Sequence, residues 1–292
     1  MHLNRASLMS TCLALTTLGG AALADDLPPL DAPESAHWHA PSQSWYVSSL
    51  GGGMSVARDG IGWISRYSAA GQLLEARWIE GLDAPTGLTS HGGMLYAVDR
   101  AGVLEIDIEA RRVLRTIVLP DAVTPNDIAV ADDGTLFVSD MAGNRIYRIL
   151  PGATATLWVS DAALEGPNGL WVDGERLLVA TWGPAKEQGS IETTRPGRLL
   201  AVNLDHGSIQ VLFDGQSIGH LDGLVSLDDA LYVTDWMTGT LLHVAPTGAV
   251  STVMTGLPGL ADLGVDSTGR VIGLPAMQDN RLVLLNLGET SP

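Results

Sequence analysis

Six residues stand at matching places along this chain: Glu34, Thr86, Asn126, Asn168, Asp222 and Asp262. They occur in Pro33-Glu34-Ser35-Ala36-His37-Trp38, Pro85-Thr86-Gly87-Leu88, Pro125-Asn126-Asp127-Ile128, Pro167-Asn168-Gly169-Leu170, Leu221-Asp222-Gly223-Leu224 and Ala261-Asp262-Leu263-Gly264. All but Thr86 carry a carboxylate or amide oxygen. Oxygens of this kind, without Cys or His, suit a hard divalent cation, Ca²⁺ foremost, with Mg²⁺ or Mn²⁺ as alternatives. Taken singly, Asn-Gly, Asn-Asp and Asp-Gly are also ordinary turn dipeptides. Two features favour ligands over turns: Glu34 is not a turn former, and Asn126-Asp127 lacks the glycine that a turn prefers.

For these side chains to meet, the segments that carry them must be arranged around a common axis. Each leading residue opens a short strand, and a polar turn then gives a second strand: Trp45 to Ser49, Leu95 to Asp99, Leu136 to Asp140, Leu177 to Thr181, Leu231 to Asp235 and Val271 to Leu274. A third strand follows, as at Arg145 to Ile149 and Thr240 to Val244, and most copies add a fourth, such as Val250 to Met254. Four short strands recurring about every forty residues, six times over and without helical periodicity, predict an all-β, six-bladed β-propeller. In that architecture the residue entering each first strand points at the axis. A two-sheet sandwich would not need six matching copies.

Two copies are lengthened between the second and third strands, by Gly51 to Gly62 and by Gly183 to Gly197. Both loops are expected on the face where the leading residues lie, bordering the mouth of the channel. The last copy has no obvious fourth strand after Leu287, so Asp25 to Pro33 is expected to pair on its outer edge and close the ring.

Residues 1–24 read as a secretory signal peptide: a positive start through Arg5, an apolar run from Ala6 to Leu23, and the small-residue cleavage signal Ala22-Leu23-Ala24. That implies a periplasmic or secreted protein whose single propeller domain spans 25–292. The only cysteine, Cys12, falls within the signal, which leaves the mature chain neither disulfides nor a thiol. With 16 basic against 33 acidic residues and a formal charge of −17, nucleic acid and anionic membrane surfaces are excluded as partners. A small-molecule substrate is the expected partner, and oligomeric state is not legible.

The opening Pro33-Glu34-Ser35-Ala36-His37-Trp38 resembles the Glu-Ser-Pro-Val-Trp or Glu-Gly-Pro-x-Trp start of the family of gluconolactonases, senescence marker protein (regucalcin) and luciferin-regenerating enzymes. Pro125-Asn126-Asp127, Pro167-Asn168-Gly169 and Asp222-Gly223 match its later motifs in the same order, and the similarity spans nearly the whole mature chain. The resemblance implies a six-bladed propeller that hydrolyses a lactone or related ester with one divalent ion, calcium foremost and magnesium, manganese or zinc as alternatives. It implies Glu34, Asn168 and Asp222 as metal ligands, Asn126 as a substrate contact or further ligand, and Asp222 as the base. One departure is plain: sugar-lactone members carry an arginine two residues before the substrate asparagine, and this chain has Thr124.

Other polar residues are read as structural. Asp99, Asp140 and Asp235 each end a second strand, where an aspartate caps a turn. His37, His39, His91, His206 and His243 show no metal spacing, and His220, Trp182 and Trp236 could wall a pocket at the mouth. No phosphate loop or nucleophile elbow is present. The alternative to a lactone hydrolase is a non-catalytic, metal-stabilised propeller that binds a small molecule or protein. A strictosidine-synthase-like condensing enzyme shares the six-bladed form but has no dedicated residues here.

Overall fold

The computed structural model describes residues 29–53, 57–187 and 190–288. The signal segment 1–24 and residues 25–28 of the expected closing strand lie outside the described residues. Six antiparallel sheets are arranged in a ring, each built from one continuous stretch of chain. Blade one holds β1 (Pro33–His39), β2 (Ser44–Ser49), β3 (Gly62–Ser68) and β4 (Leu73–Leu82). Blade two holds β5 (Leu88–His91), β6 (Met94–Asp99), β7 (Gly102–Asp107) and β8 (Arg112–Ile117). Blade three holds β9 (Pro125–Val130), β10 (Leu136–Asp140), β11 (Arg145–Ile149) and β12 (Ala155–Ser160). Blade four holds β13 (Pro167–Asp173), β14 (Arg176–Thr181), β15 (Leu199–Asn203) and β16 (Ile209–Val211). Blade five holds β17 (Leu221–Leu227), β18 (Ala230–Asp235), β19 (Thr240–Val244) and β20 (Val250–Met254). Blade six holds β21 (Gly264–Asp266), β22 (Val271–Ala276) and β23 (Arg281–Asn286).

The apolar side chains bury themselves between blades. Tyr46, Ile64 and Trp78 of blade one pack against Leu95, Leu104 and Ile106 of blade two. Similar clusters join each successive pair of blades, and the ring closes where Trp45, Val47 and Tyr67 meet Val271, Leu282 and Leu284. A sheet covered on both faces has little reason to alternate polar and apolar residues, which explains the weak alternation in the strands.

The means of closure differs from the sequence expectation. Asp31 and Ala32 extend blade one, where their carbonyls accept from Gly51 and Leu50, and Pro33 is already paired with Ser49 in β1. They do not form an outer strand on blade six, which has three strands among the described residues. The physical reason is that blade one supplies all four of its own strands, so the amino-terminal run continues its innermost strand. Closure comes from the inner strands: Asp262 N–H donates to the Glu34 carbonyl, Ala36 N–H to the Asp262 carbonyl, and Ala32 N–H to Asn280 Oδ1 at 2.7 Å.

Candidate functional site at the channel mouth

The first strands do not run evenly into the channel. In blades one, three, four and five the pairing of the first and second strands slips at the leading residue, between Pro33 and Ala36, Pro125 and Ile128, Pro167 and Leu170, and Leu221 and Leu224. A bulge of this kind re-aims the side chains of the extra residues. The bulged residues are Glu34, Asn126, Asn168 and Asp222 with their immediate successors.

Second-strand side chains hold these bulges. Ser48 Oγ accepts from Ser35 N–H, Ser139 Oγ from Asp127 N–H, and Thr234 Oγ1 from Gly223 N–H, at 2.9, 2.9 and 2.7 Å. The last residues of the second strands in blades two, three and five, Asp99, Asp140 and Asp235, accept from the backbone of the segment that leads into the first strand, at Asp83, Val123 with Thr124, and His220. Asp99, Asp140 and Asp235 therefore cap their connections as structural residues.

The glycines that follow the leading residues serve close approach between blades. A Cβ on Gly169 would lie 2.3 Å from the Asp222 carbonyl oxygen, and one on Gly223 would lie 2.5 Å from the Leu263 nitrogen. Neither glycine needs a left-handed backbone, so their presence is not turn chemistry. Blade three has Asp127 at this place, and its carboxylate instead bridges to blade four by accepting from Leu170 N–H at 2.6 Å and from its neighbour Ile128 N–H at 2.6 Å.

The leading side chains divide into two groups. Glu34 Oε2, Asn126 Oδ1, Asn168 Oδ1 and Asp222 Oδ1 are buried without a hydrogen-bond partner. The other orphaned buried oxygen among the described residues is Glu165 Oε2, on a carboxylate already paired with Arg195 and Arg198. Thr86 and Asp262 are satisfied: Thr86 Oγ1 donates to the Asn126 carbonyl at 2.6 Å, and Asp262 Oδ2 accepts from Ser35 Oγ at 2.5 Å. An unpaired buried polar oxygen costs about 1–3 kcal/mol, and native folds keep few of them. Four at equivalent places around one axis form a built set of acceptors.

The carboxyls among the leading residues and their successors lie close enough to feel one another's charge. Burial, then the charges of Asp222, Asp262 and Asp127, push the Glu34 carboxyl well above the usual carboxylate range. Burial and Asp262 raise Asp222 likewise, against a hydrogen bond from Asn168. Burial and Asp262 also raise Asp127, while burial lifts Asp262 to about 7. Carboxyls that raise one another in this way favour protonation or a cation between them. The oxygen set fits a hard cation, because it offers two carboxylates and two amide oxygens. No group of three or more His, Cys, Asp or Glu side chains capable of holding a metal exists among the described residues, so any such site depends on the amides of Asn126 and Asn168.

The rim is partly aromatic. The Trp182 ring lies 5.3 Å from His220 and 6.0 Å from Trp236. The second lengthened loop is bound to this group, with Trp182 Nε1 donating to the Ile191 carbonyl and Thr193 Oγ1 bonded to His220 Nε2 at 3.0 Å. In the first loop, residues 54–56 lie outside the described residues, and Arg58 Nη2 donates to the Arg100 carbonyl.

Sequence reasoning passed over Asp127 and Arg100. Asp127 occupies the place that glycine holds in three other blades, which was a readable signal. Arg100 has none, since its approach to Glu34 depends on how blades one and two meet.

No protein-family model and no curated protein matches this sequence. Solved structures do share the fold. A structure of a nidogen/laminin complex aligns with a TM-score of 0.63 at 18% identity, covering 81% of this chain and 85% of that one. A gluconolactonase from Xanthomonas campestris aligns with a TM-score of 0.60 at 17% identity, covering 84% and 83%. A catalytically inactive virginiamycin B lyase from Staphylococcus aureus, in complex with quinupristin, aligns with a TM-score of 0.56 at 15% identity, covering 87% and 94%. The likeness is one of fold.

Proposed function

We propose that the channel mouth holds one divalent cation, calcium foremost, and that the protein hydrolyses a lactone or related ester there. The observation that carries this reading is the set of four buried, unpartnered oxygens on Glu34, Asn126, Asn168 and Asp222. These residues would hold the ion. When bound, it supplies Lewis-acid polarisation of the ester carbonyl and charge stabilisation of the oxyanion.

The chain's own residues account for the proton. Asp222 takes a proton from water as the water oxygen bonds to the carbonyl carbon. The ring C–O bond then breaks, and the departing alkoxide takes that proton from Asp222 to give a hydroxy acid. Asn126, whose Oδ1 is unpartnered, orients the substrate, and Trp182 with Trp236 offers an apolar wall. Turnover of a lactone panel, lost on chelation and restored by adding cation back, is the expected result. An unchanged melting curve with chelator or calcium, together with no metal by elemental analysis, counts decisively against it.

A second reading is a non-catalytic propeller whose ion ties the blades together while it binds a small molecule or protein. Thr124, in place of the arginine of the sugar-lactone members, favours it. That reading gains ground if calcium raises the melting temperature while no lactone is turned over.

A further inference from the structure

In a chain of formal charge −17, most described cations have a visible partner. Ten lie within 4.0 Å of a carboxylate, and Arg77 and Arg148 lie over the rings of Trp63 and Trp158. Arg58, Arg100 and Arg112 do neither, and of these Arg58 and Arg100 are side by side. Arg58 Nη2 donates to the Arg100 carbonyl, and Arg100 Nε is buried without a partner. Arg100 feels the charges of Glu34 and Asp99 as well as that of Arg58.

Both arginines border one cavity of about 550 Å³ between blades two and three. Its opposite wall is Val123-Thr124-Pro125, the run that leads into Asn126. All of these segments belong to connections on the mouth face. Two neighbouring guanidiniums repel each other, and Arg100, half-buried beside an exposed Arg58, loses part of its hydration. An oxyanion offsets both costs, since the planar fork of arginine matches a carboxylate with two parallel hydrogen bonds.

We propose that this cavity is an oxyanion subsite and that the substrate carries a carboxylate, held by Arg58 and Arg100 while its ester carbonyl lies at the mouth. The inference rests on the lactone-hydrolase reading for the word substrate, but the subsite itself does not. Thr124 contributes here by being small: it leaves open the space in which the guanidinium of a neighbouring blade takes up the anion.

The test uses the calcium-loaded full mature chain and two probes without an ester, a tetrahydrofuran-ring carboxylate and its carboxamide, titrated by calorimetry. The native protein binds the carboxylate about tenfold more tightly than the carboxamide, the scale of one charge-assisted hydrogen bond. Arg100→Gln abolishes the preference, and Arg58→Gln, on the exposed side of the cavity, reduces it several-fold; melting curves check that both fold, and Arg58→Gln carries the test if Arg100→Gln does not. Equal affinities in the native chain, binding of neither probe at millimolar concentration, or a preference that survives both substitutions overturns the proposal. Lactones bearing the same two groups separate the readings. Carboxylate preference without turnover of either lactone removes the hydrolase and leaves the subsite, whereas turnover with no preference does the reverse.

Discussion

At the channel mouth Glu34, Asn126, Asn168 and Asp222 each keep a buried oxygen with no partner, whereas the polar groups that border the channel cavity below them are complete. There the Asp127 carboxylate accepts two backbone N–H groups, Asp262 takes the Ser35 hydroxyl, and His37 Nε2 is bonded to Ser90 Oγ at 2.7 Å. The residue types are nearly the same and the blades are the same. What differs is whether the fold itself supplies the hydrogen bonds. A group satisfied by its own chain contributes to folding, and a group left open at a cost in stability is available to something that is not the chain. The comparison separates structural from functional oxygens within one channel, and it predicts that substitutions at the two levels fail in different assays.

The largest expected effect is on turnover. Asp222→Asn keeps an oxygen ligand and the shape of the side chain, so the cation still binds, with weaker affinity for the loss of one charge. It cannot take a proton from water near neutral pH, and turnover of whichever lactone the panel yields falls by about two to four orders of magnitude. Glu34→Gln loses cation affinity chiefly, and its activity partly recovers at high cation concentration. Near-native turnover of Asp222→Asn at saturating cation would remove the base and favour the binding module.

Next in size is stability at the lower level. Asp127→Ala strips the partners from two buried N–H groups, those of Ile128 and Leu170, at about 1–3 kcal/mol each. Denaturant unfolding is expected to show this loss with or without calcium. Asn126→Ala removes an oxygen that bonds to nothing in the fold, so in chelator its unfolding free energy stays within about 1 kcal/mol of native. Equal losses at the two positions would erase the distinction between them.

Calcium sharpens the same contrast from the other side. An ion that binds only the native state adds about 2.7 kcal/mol at a hundredfold excess over its dissociation constant. Native protein is expected to show that increment as a rise in melting temperature. Asn126→Ala, Asn168→Ala and Glu34→Gln lose most of it, and Ser90→Ala keeps it.

The blades themselves were legible because a repeat reports its own period. Leu136–Asp140, Arg145–Ile149, Thr240–Val244 and Val250–Met254 are strands to the residue, and the four orphaned oxygens belong to leading residues that the repeat singles out. The repeat does not reveal that Thr86 and Asp262 turn to hydrogen bonds within the fold, because their partners, the Asn126 carbonyl and Ser35 Oγ, belong to neighbouring blades. Closure was misread for a related reason. Asp31 and Ala32 carry no pattern of their own, and only the completed pairing of β1 with β2 shows them continuing blade one.

The smallest effect concerns pH and isolates the lower level from the mouth. Burial, then the charge of His39, lowers His37 to about 3, although the ring keeps some accessible surface toward a channel cavity of about 290 Å³ that is also bordered by Asp127 and Asp262. Unfolded, the imidazole titrates near its ordinary value of about 6.5. Between these values the unfolded chain binds a proton that the folded chain refuses, so stability contributed by neutral His37 is complete above about 6.5 and is lost as the pH falls. From pH 7 to 5 the loss is about 1–2 kcal/mol, the lower figure applying as water in the cavity solvates the ring. The mouth carboxyls act with the opposite sign in metal-free protein: raised in the fold, they stabilise it below their unfolded values and lose that contribution as pH rises. Saturating calcium holds Glu34 and Asp222 ionised and removes their opposing contribution, while Asp127 and Asp262, raised as well, contribute alike in native protein and His37→Gln, which leaves His37 to be read by difference. Melting curves of calcium-loaded native protein and His37→Gln at both pH values are therefore expected to diverge on acidification, the native form losing more. Parallel curves would mean that the His37–Ser90 pair is not held neutral by the fold, and that the lower level of the channel is open to protons in the way the mouth is open to a cation.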